Sequence, residues 1–474
     1  MKQQTVYSLG RALRAGEISC LALTEECLSR IKKEGGTQGA FLSVLEEEAL
    51  SAARAFDACP DYEKWSSALA GIPVAVKDNL MLKGAVCTCG SRMLAGFVAP
   101  YDATAVEKLK RAGAILVGKT NMDEFGMGST GEHSAYGAAC NPLDHSRVAG
   151  GSSSGSAAAV AGGSVPAALG SDTGGSVRLP VAYCGIVGMR PTYGAVSRYG
   201  LTAFCSSMDT VGPITKTVRD NALVYAAIVG IDPNDATGLS FDFSVPNVRH
   251  PIRIGVIEEL MTDGISEEVR HAVQQASERF ASLGMLVESV SIPETKGSLS
   301  AYYLISSAEA SSNLARFDGV RYGHRAKDCA DLGALYEKSK SEGFGSEVKR
   351  RIMLGNYVLK KENKEAYYER SLLVKRILRD AFARVFESYD VLLCPTAPDI
   401  APRMGAIQTP EQMYAIDLCT VPMSLAGLPA LSLPAGVTKD GMPIGIQLTG
   451  KAFSEGLLYA LGILYEGGGT DDAI

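Results

Sequence analysis

The chain has 474 residues, 46% of them hydrophobic and 21% charged, and its formal net charge is −6. A chain of this size can bury a large core without disulfides or bound metals. Its mildly acidic balance argues against a broad basic surface for nucleic acid, so any RNA would be bound chiefly by a partner. No stretch reaches the ~18 apolar residues of a membrane span, and the N-terminus lacks an apolar signal-peptide core. We therefore expect a soluble globular protein.

Eleven cysteines are scattered between Cys20 and Cys419, without a CxxC pair or a Cys/His cluster. The closest two, Cys87 and Cys89, have the wrong spacing for a zinc knuckle. Reduced and mostly buried thiols are typical of proteins from reducing compartments. We expect a cytoplasmic protein with no metal site.

Apolar periodicity predicts helices in the first sixty residues. The helical spacing is visible at Leu21, Cys27, Leu28 and Ile31. Residues 46–56 repeat the pattern, whereas short apolar runs at 72–76 and 114–117 predict strands. Further helices and strands are predicted later in the chain.

Residues 253–292 predict a strand, a helix and a second strand. The helix begins near Ser266, with Glu267 and Glu268 in its first turn, and ends at Gly284. Two later runs also predict strands, Val391–Leu393 and Ala430–Leu433. Strands alternating with helices indicate an α/β fold with a buried sheet. No repeat, charge block or linker divides the chain, so we expect one large domain.

Two short motifs match functional patterns only formally. Residues 113–120, GAILVGKT, satisfy the phosphate-loop pattern, but their middle residues predict a strand instead of an anion-binding curve. We interpret them as a buried strand ending in a polar turn. Residues 151–155, GSSSG, satisfy the nucleophile-elbow pattern, which requires a preceding apolar strand and a downstream Asp and His. A loop sequence precedes them, and none of the later histidines has a catalytic context: His250, His271 and His324.

A segment rich in glycine and serine is a better candidate for chemistry. Residues 149–163, AGGSSSGSAAAVAGG, predict a helix with serines at its N-terminus, where free N–H groups and the dipole favour negative charge. In residues 170–180, GSDTGGSVRLP, the small residues Thr173–Ser176 let backbone N–H groups converge as an oxyanion hole. Ser176 would be the nucleophile. Alternatively, both stretches are tight turns that allow close helix packing.

Lys77 is the candidate base, because a serine nucleophile requires one and no histidine is suitably placed. It ends the apolar strand in GIPVAVKDN. Burial there would favour the neutral amine, which can accept a proton, and would lower the pKa of Lys77. The alternative is a surface lysine paired with Asp78.

Together, these segments resemble the amidase signature family over nearly the whole chain. The most specific part is GGSSSGSAAAVAGG followed by GSDTGGSVR. The resemblance implies one amidase signature domain over residues 1–474, built on a twisted mixed sheet covered by helices on both faces. Its helical N-terminal segment would span residues 1–60 and its catalytic core residues 70–215.

The same resemblance implies roles for individual residues. Ser176 would be the nucleophile, Lys77 the base and Ser152 the bridge that relays the proton between them. Four backbone N–H groups would bind the oxyanion, those of Thr173, Gly174, Gly175 and Ser176.

A narrower resemblance is to the A subunits of aminoacyl-tRNA amidotransferases. It rests on five segments: 121–130, 190–201, 307–325, 349–359 and 413–436. It implies that the chain hydrolyses glutamine and passes ammonia to a partner, within a heterotrimer with B and C subunits. The partner would bind ATP, Mg²⁺ and the misacylated Glu-tRNA(Gln) or Asp-tRNA(Asn). No cofactor is then expected in this chain.

Glutamine carries a charged ammonium and a charged carboxylate, and both need partners when taken from water. The resemblance implies that Arg351 binds the carboxylate and Asp417 the ammonium, with Arg350 as the alternative to Arg351. Local sequence alone is equally consistent with a surface arginine and an exposed aspartate. The alternative function is a stand-alone amidase for small or aryl amides, which needs no such pair of charges.

Overall fold

The computed structural model describes residues 4–33, 39–60, 65, 67–248 and 251–468. Its strands are β1 (Phe41–Val44), β2 (Pro73–Lys77), β3 (Ile115–Thr120), β4 (Cys140–Asn141), β5 (Asp144–Val148), β6 (Ala167–Asp172), β7 (Val187–Arg190), β8 (Thr210–Thr215), β9 (Arg253–Ile257), β10 (Leu286–Val290), β11 (Val391–Pro395), β12 (Ala430–Val437) and β13 (Pro443–Gly450).

The α-helices in these ranges are α1 (Val6–Arg14), α2 (Cys20–Lys33), α3 (Glu46–Ala58), α4 (Thr104–Arg111), α5 (Ser154–Ala161), α6 (Arg178–Cys184), α7 (Val218–Ile228), α8 (Glu267–Ser282), α9 (Ser298–Asn313), α10 (Leu332–Gly343), α11 (Ser346–Leu359), α12 (Lys361–Lys364), α13 (Arg370–Val385), α14 (Pro410–Ile416), α15 (Val421–Ala426) and α16 (Glu455–Tyr465). None of them is both long and apolar enough to span a membrane.

Among the described residues, eleven strands form a single mixed sheet in the order β1-β3-β2-β6-β8-β7-β12-β13-β11-β9-β10. β2 runs parallel to β3 and β6, whereas β8 is antiparallel to β6 and β7. Every residue of β2, β3, β6 and β8 is buried, which requires both faces of the sheet to be covered. The predicted α/β fold with a central mixed sheet is confirmed.

The structure agrees with the predictions for the N-terminal helices, for the unit at residues 253–292 and for the two later strands. The N-terminal region also contains a strand that its pattern did not indicate. α1, α2 and α3 account for the helical periodicity near the N-terminus, but β1 interrupts it and pairs antiparallel with β3. β1 has only four residues, none of them fully buried, so it lacks the length and alternation of a recognisable strand. β9, α8 and β10 form the predicted unit with parallel strands, and β11 and β12 are the two later strands.

The GAILVGKT segment is a strand, as expected, but the polar turn predicted at its end is wrong. β3 continues through Thr120, and Lys119 is fully buried. The amine of Lys119 lies 3.1 Å from a carboxylate oxygen of Asp78 and donates to the carbonyl of Leu80 at 2.7 Å. A buried charge pair therefore lets polar residues remain in a central strand.

The cysteines all fall within the described residues. Eight of the eleven are buried. Burial raises the pKa of Cys20, Cys27 and Cys394 to about 12, which keeps these thiols protonated.

Candidate active site

Lys77 is the last residue of β2, and its side chain is fully buried. Its amine contacts three serine hydroxyls. The distances from Nζ to Oγ are 2.7 Å for Ser152, 3.0 Å for Ser153 and 2.9 Å for Ser171. The structure therefore brings together Lys77 and Ser152, which the sequence separates by 75 residues. A surface lysine is excluded.

Burial controls the protonation of Lys77. Loss of solvent lowers the pKa of Lys77 to about 7, although three buried carboxylates, those of Asp123, Asp172 and Asp209, act in the opposite direction. About half of the amine is then neutral near neutral pH, and the neutral form can accept a proton.

Ser152 and Ser153 precede α5, the helix predicted from the alanine-rich half of the motif. The peptide bond between Gly151 and Ser152 is cis. Gly151 allows the chain to approach Asp123 closely, because a Cβ at this position would lie 1.9 Å from a carboxylate oxygen of Asp123. The glycines of the motif thus place Ser152 next to the end of β2.

Ser176 lies in the short loop between β6 and α6. The N–H of Ser153 donates to the carbonyl of Ser176 at 3.1 Å, which joins the two serine segments through their backbones. The hydroxyl of Ser176 has no hydrogen-bond partner among the described residues, and the residue is 8% exposed. The structure thus places Ser176 in the same cluster as Ser152, without a hydrogen bond between their hydroxyls.

The loop at residues 173–176 presents unused backbone donors. Within the described part of the chain, its N–H groups donate to no other residue, whereas those of Val177 and Arg178 donate to Asp172. Thr420 donates to the carbonyl of Gly174 at 2.6 Å and so turns that peptide. Free, oriented N–H groups beside a hydroxyl can stabilise a developing oxyanion.

The two glycines of this loop are required by their neighbours. Gly175 has φ +146°, and a Cβ there would lie 2.3 Å from the hydroxyl oxygen of Thr420. A Cβ on Gly174 would lie 2.4 Å from the ring of Tyr302. The loop can therefore adopt this shape only without side chains at these positions.

Arg351 and Arg350 differ sharply in their surroundings, although they are neighbours on α11. The side chain of Arg350 is 46% exposed and pairs with Glu347, whose own side chain is buried. Arg351 is buried and donates through Nε to Glu347 at 2.6 Å. Its guanidinium carbon lies 4.4 Å from the ring centroid of Tyr303, and its Nη1 has no partner among the described residues. Only Arg351 faces the interior.

Asp417 is also buried, so the exposed aspartate considered from local sequence is wrong. Its Oδ2 accepts hydrogen bonds from Ser129 at 2.9 Å and Tyr303 at 2.6 Å. Burial raises the pKa of Asp417 to about 6. Tyr303 thus contacts Arg351 through its ring and Asp417 through its hydroxyl, which brings both predicted substrate residues to one place.

Sequence reasoning missed Tyr303 and Ser129. Ser129 lies in one of the segments that carried the resemblance, residues 121–130, whereas Tyr303 precedes the segment 307–325. Neither has a spacing or composition that distinguishes it from its neighbours. The alternative of a nucleophile elbow with a downstream catalytic histidine gains no support. His271 is exposed on α8, and His324 pairs with Glu342. His250 lies outside the described residues.

A buried lysine beside serine hydroxyls and a loop of free amides can support amide hydrolysis by a serine nucleophile. The family model described as Amidase matches residues 22–459, and the chain belongs to this family. This confirms the membership in the amidase signature family that the sequence motifs predicted.

More specific relatives share almost the full length. The A subunit of glutamyl-tRNA(Gln) amidotransferase from Lysinibacillus sphaericus is 47% identical, with coverage of 98% of this chain and 96% of the relative. That of Symbiobacterium thermophilum is 48% identical, covering 97% and 95%. The crystal structure of the A subunit of glutamyl-tRNA(Gln) amidotransferase from Thermotoga maritima superposes with a TM-score of 0.81 at 39% identity, covering 98% and 95%.

Proposed function

We infer that this chain is the glutamine-hydrolysing A subunit of a tRNA-dependent amidotransferase. Full-length similarity to A subunits of glutamyl-tRNA(Gln) amidotransferases supports this function. The observation that carries the chemistry is the 2.7 Å contact between the buried amine of Lys77 and the hydroxyl of Ser152, beside the free amides of residues 173–176.

In this mechanism the neutral amine of Lys77 accepts the proton of Ser152, which in turn accepts the proton of Ser176. Oγ of Ser176 attacks the side-chain amide carbon of glutamine, and the N–H groups of residues 173–176 stabilise the oxyanion. The proton returns through Ser152 to the leaving nitrogen, and ammonia departs. Water then attacks the γ-glutamyl ester of Ser176 through the same relay and releases glutamate.

Glutamine binding is assigned to Arg351 and Asp417. The unpartnered Nη1 of Arg351 is a buried donor suited to the α-carboxylate. Asp417 supplies an ionised acceptor for the α-ammonium at pH values above about 6, where its pKa lies. Tyr303 fixes both side chains in one orientation.

Ammonia passes in this proposal to a partner made of B and C subunits. That partner binds ATP, Mg²⁺ and the misacylated Glu-tRNA(Gln) or Asp-tRNA(Asn), in the cytoplasm. The net charge of −6 supports this division, because it gives the chain little general affinity for nucleic acid. The only described match to a phosphate loop is the buried strand β3.

The decisive experiment measures ammonia release from glutamine by the chain together with its partner subunits. Ser176→Ala should lower kcat by on the order of 10³-fold or more, because no nucleophile remains. Ser432→Ala is the matched control, since Ser432 is also a buried serine, and its hydroxyl contacts that of Thr396 instead of Lys77. Full activity of Ser176→Ala would contradict the mechanism.

A further inference from the structure

The amine of Lys77 has more hydroxyl neighbours than the proton relay uses. Ser152, Ser153 and Ser171 all lie within 3.0 Å of Nζ. A neutral amine has two N–H groups and one lone pair, and the relay requires that the lone pair face Ser152. Other groups must therefore accept the two N–H groups.

Ser153 can only accept from Lys77. Its hydroxyl donates to the carbonyl of Ser171 at 3.2 Å, and its oxygen accepts the N–H of Ser171 at 3.3 Å. A hydroxyl has one hydrogen and two acceptor positions. The remaining acceptor position of Ser153 is the one directed at Nζ, so one N–H of Lys77 is assigned.

The nearest remaining acceptor for the second N–H is the hydroxyl of Ser171 at 2.9 Å, and the carbonyl of the same residue lies farther away, at 3.4 Å. This residue lies in β6, and its Oγ also accepts Nδ2 of Asn79 at 2.9 Å. Asn79 is buried, and this is its only side-chain hydrogen bond among the described residues, since Oδ1 has none. The amide of Asn79 therefore serves to orient Ser171.

We propose that Ser171, oriented by Asn79, is a positioning residue that accepts an N–H of Lys77 and leaves the lone pair of the amine facing Ser152. This inference rests on the proposed amide hydrolysis and adds two residues to it. The three hydroxyls also match the three N–H groups of the ammonium that forms when Lys77 takes the proton. The same charged groups act on Lys77 whether its amine is neutral or protonated. They are the carboxylates of Asp123, Asp172 and Asp209, and the thiol of Cys89 is also nearby.

The test is the pH profile of kcat/KM for glutamine in the assembled complex. Ser171→Ala removes the 2.9 Å acceptor and leaves one N–H of the buried ammonium only the more distant carbonyl of residue 171 at 3.4 Å, which disfavours the charged form. We expect kcat to fall about tenfold and the acid limb to move to lower pH by about one unit. Ser171→Thr keeps the hydroxyl and should restore both the rate and the position of the limb.

A control variant separates positioning from packing. Ser156→Ala removes a buried hydroxyl that bonds to Leu169 of the same strand but does not touch Lys77. It should leave the acid limb where it is in the wild type. If Ser171→Ala also left the limb in place, or changed only KM, the proposal would be overturned.

A double-mutant cycle tests whether Asn79 acts through Ser171. Asn79→Leu should lower kcat by itself, but the Ser171→Ala/Asn79→Leu variant should be no slower than Ser171→Ala alone. Additive losses would overturn the role of Asn79. The wild type and Ser176→Ala are measured in parallel, so an enzyme without Ser176-dependent activity would show that the proposed function itself had failed.

Discussion

At the scale of single residues, Lys77 links burial to activity. Because burial lowers its pKa to about 7, the amine is charged below this pH and cannot accept a proton. We expect kcat/KM for glutamine to rise with pH through about 7 and then level off, with a fall of about tenfold per unit just below 7 and a steeper fall below about 6, where Asp417 also becomes protonated. Steady-state ammonia release between pH 5 and 9 measures this, and a flat profile over that range would exclude Lys77 as the base.

Arg351 and Arg350 provide a matched pair of substitutions. Arg351→Gln removes the buried guanidinium assigned to the substrate carboxylate, so KM for glutamine should rise roughly 10- to 100-fold. Arg350→Gln removes the half-exposed partner of Glu347 but leaves the buried contact between Glu347 and Arg351, so it should change KM much less than Arg351→Gln does. The two variants are compared by initial rates at several glutamine concentrations.

The same pair distinguishes the glutaminase from a stand-alone amidase. Hydrolysis of a neutral aryl amide should be unaffected by Arg351→Gln, because that substrate has no carboxylate to bind. Equal losses with glutamine and with the neutral amide would assign Arg351 to general packing instead.

At the scale of elements, Asp172 joins β6, the loop at 173–176 and α6. It pairs with Arg178 and Arg190 at 3.1 and 3.0 Å, and all three side chains are buried. Burial alone would raise the pKa of Asp172, but the two guanidinium groups hold it well below its usual range. The stability contributed by this carboxylate is therefore present above its unfolded pKa and is lost as the pH falls below it.

Removing the charge of Asp172 should lower stability, because the guanidinium groups of Arg178 and Arg190 would then be buried without their carboxylate partner. We expect Asp172→Asn to lower the free energy of unfolding by about 3–5 kcal/mol, measured by urea denaturation at pH 7. Glu107→Gln, which breaks an exposed ion pair with Arg111, should change it by less than about 1 kcal/mol. Similar values for both would show that the Asp172 cluster has little structural role.

Element-scale features were partly accessible from the pattern of residues. α5, β2 and the unit formed by β9, α8 and β10 are local structures, and their capping residues and periodicity indicate them. β1 and the continuation of β3 through Lys119 are not local, because pairing between distant segments stabilises them. Tertiary contacts there override the local preference.

At the scale of the whole molecule, the sheet interleaves both halves of the chain. β12 pairs with β7, and β9 pairs with both β10 and β11. Cleavage at a protease site inserted in the exposed turn at Asp263–Gly264 would put β9 and the last four strands on different fragments, although they remain neighbours in the sheet. We expect the nicked protein to elute as one species in size-exclusion chromatography.

The nicked protein should also retain most of its activity, because Lys77 and Ser176 stay on the same fragment and β12 keeps its place beside β7. Cleavage confirmed by denaturing electrophoresis is the control. Separation of the two fragments under native conditions would show that the strand pairings across the cut contribute little stability.

The sequence by itself indicated Lys77, Ser152 and Ser176 as candidate reactive residues and, through the resemblance of its Gly/Ser segments, the family, because those segments and the strand before Lys77 are local signals for a sharply turned backbone and a buried amine. Tertiary structure alone decided that Arg351 and not Arg350 faces inward, that Asp417 is buried, and that Tyr303 lies between them. These side chains come from α9, α11 and the end of α14, and their meeting depends on how the helices pack around the sheet. No pattern along the chain records such distances, since burial and proximity arise only when distant segments share one core.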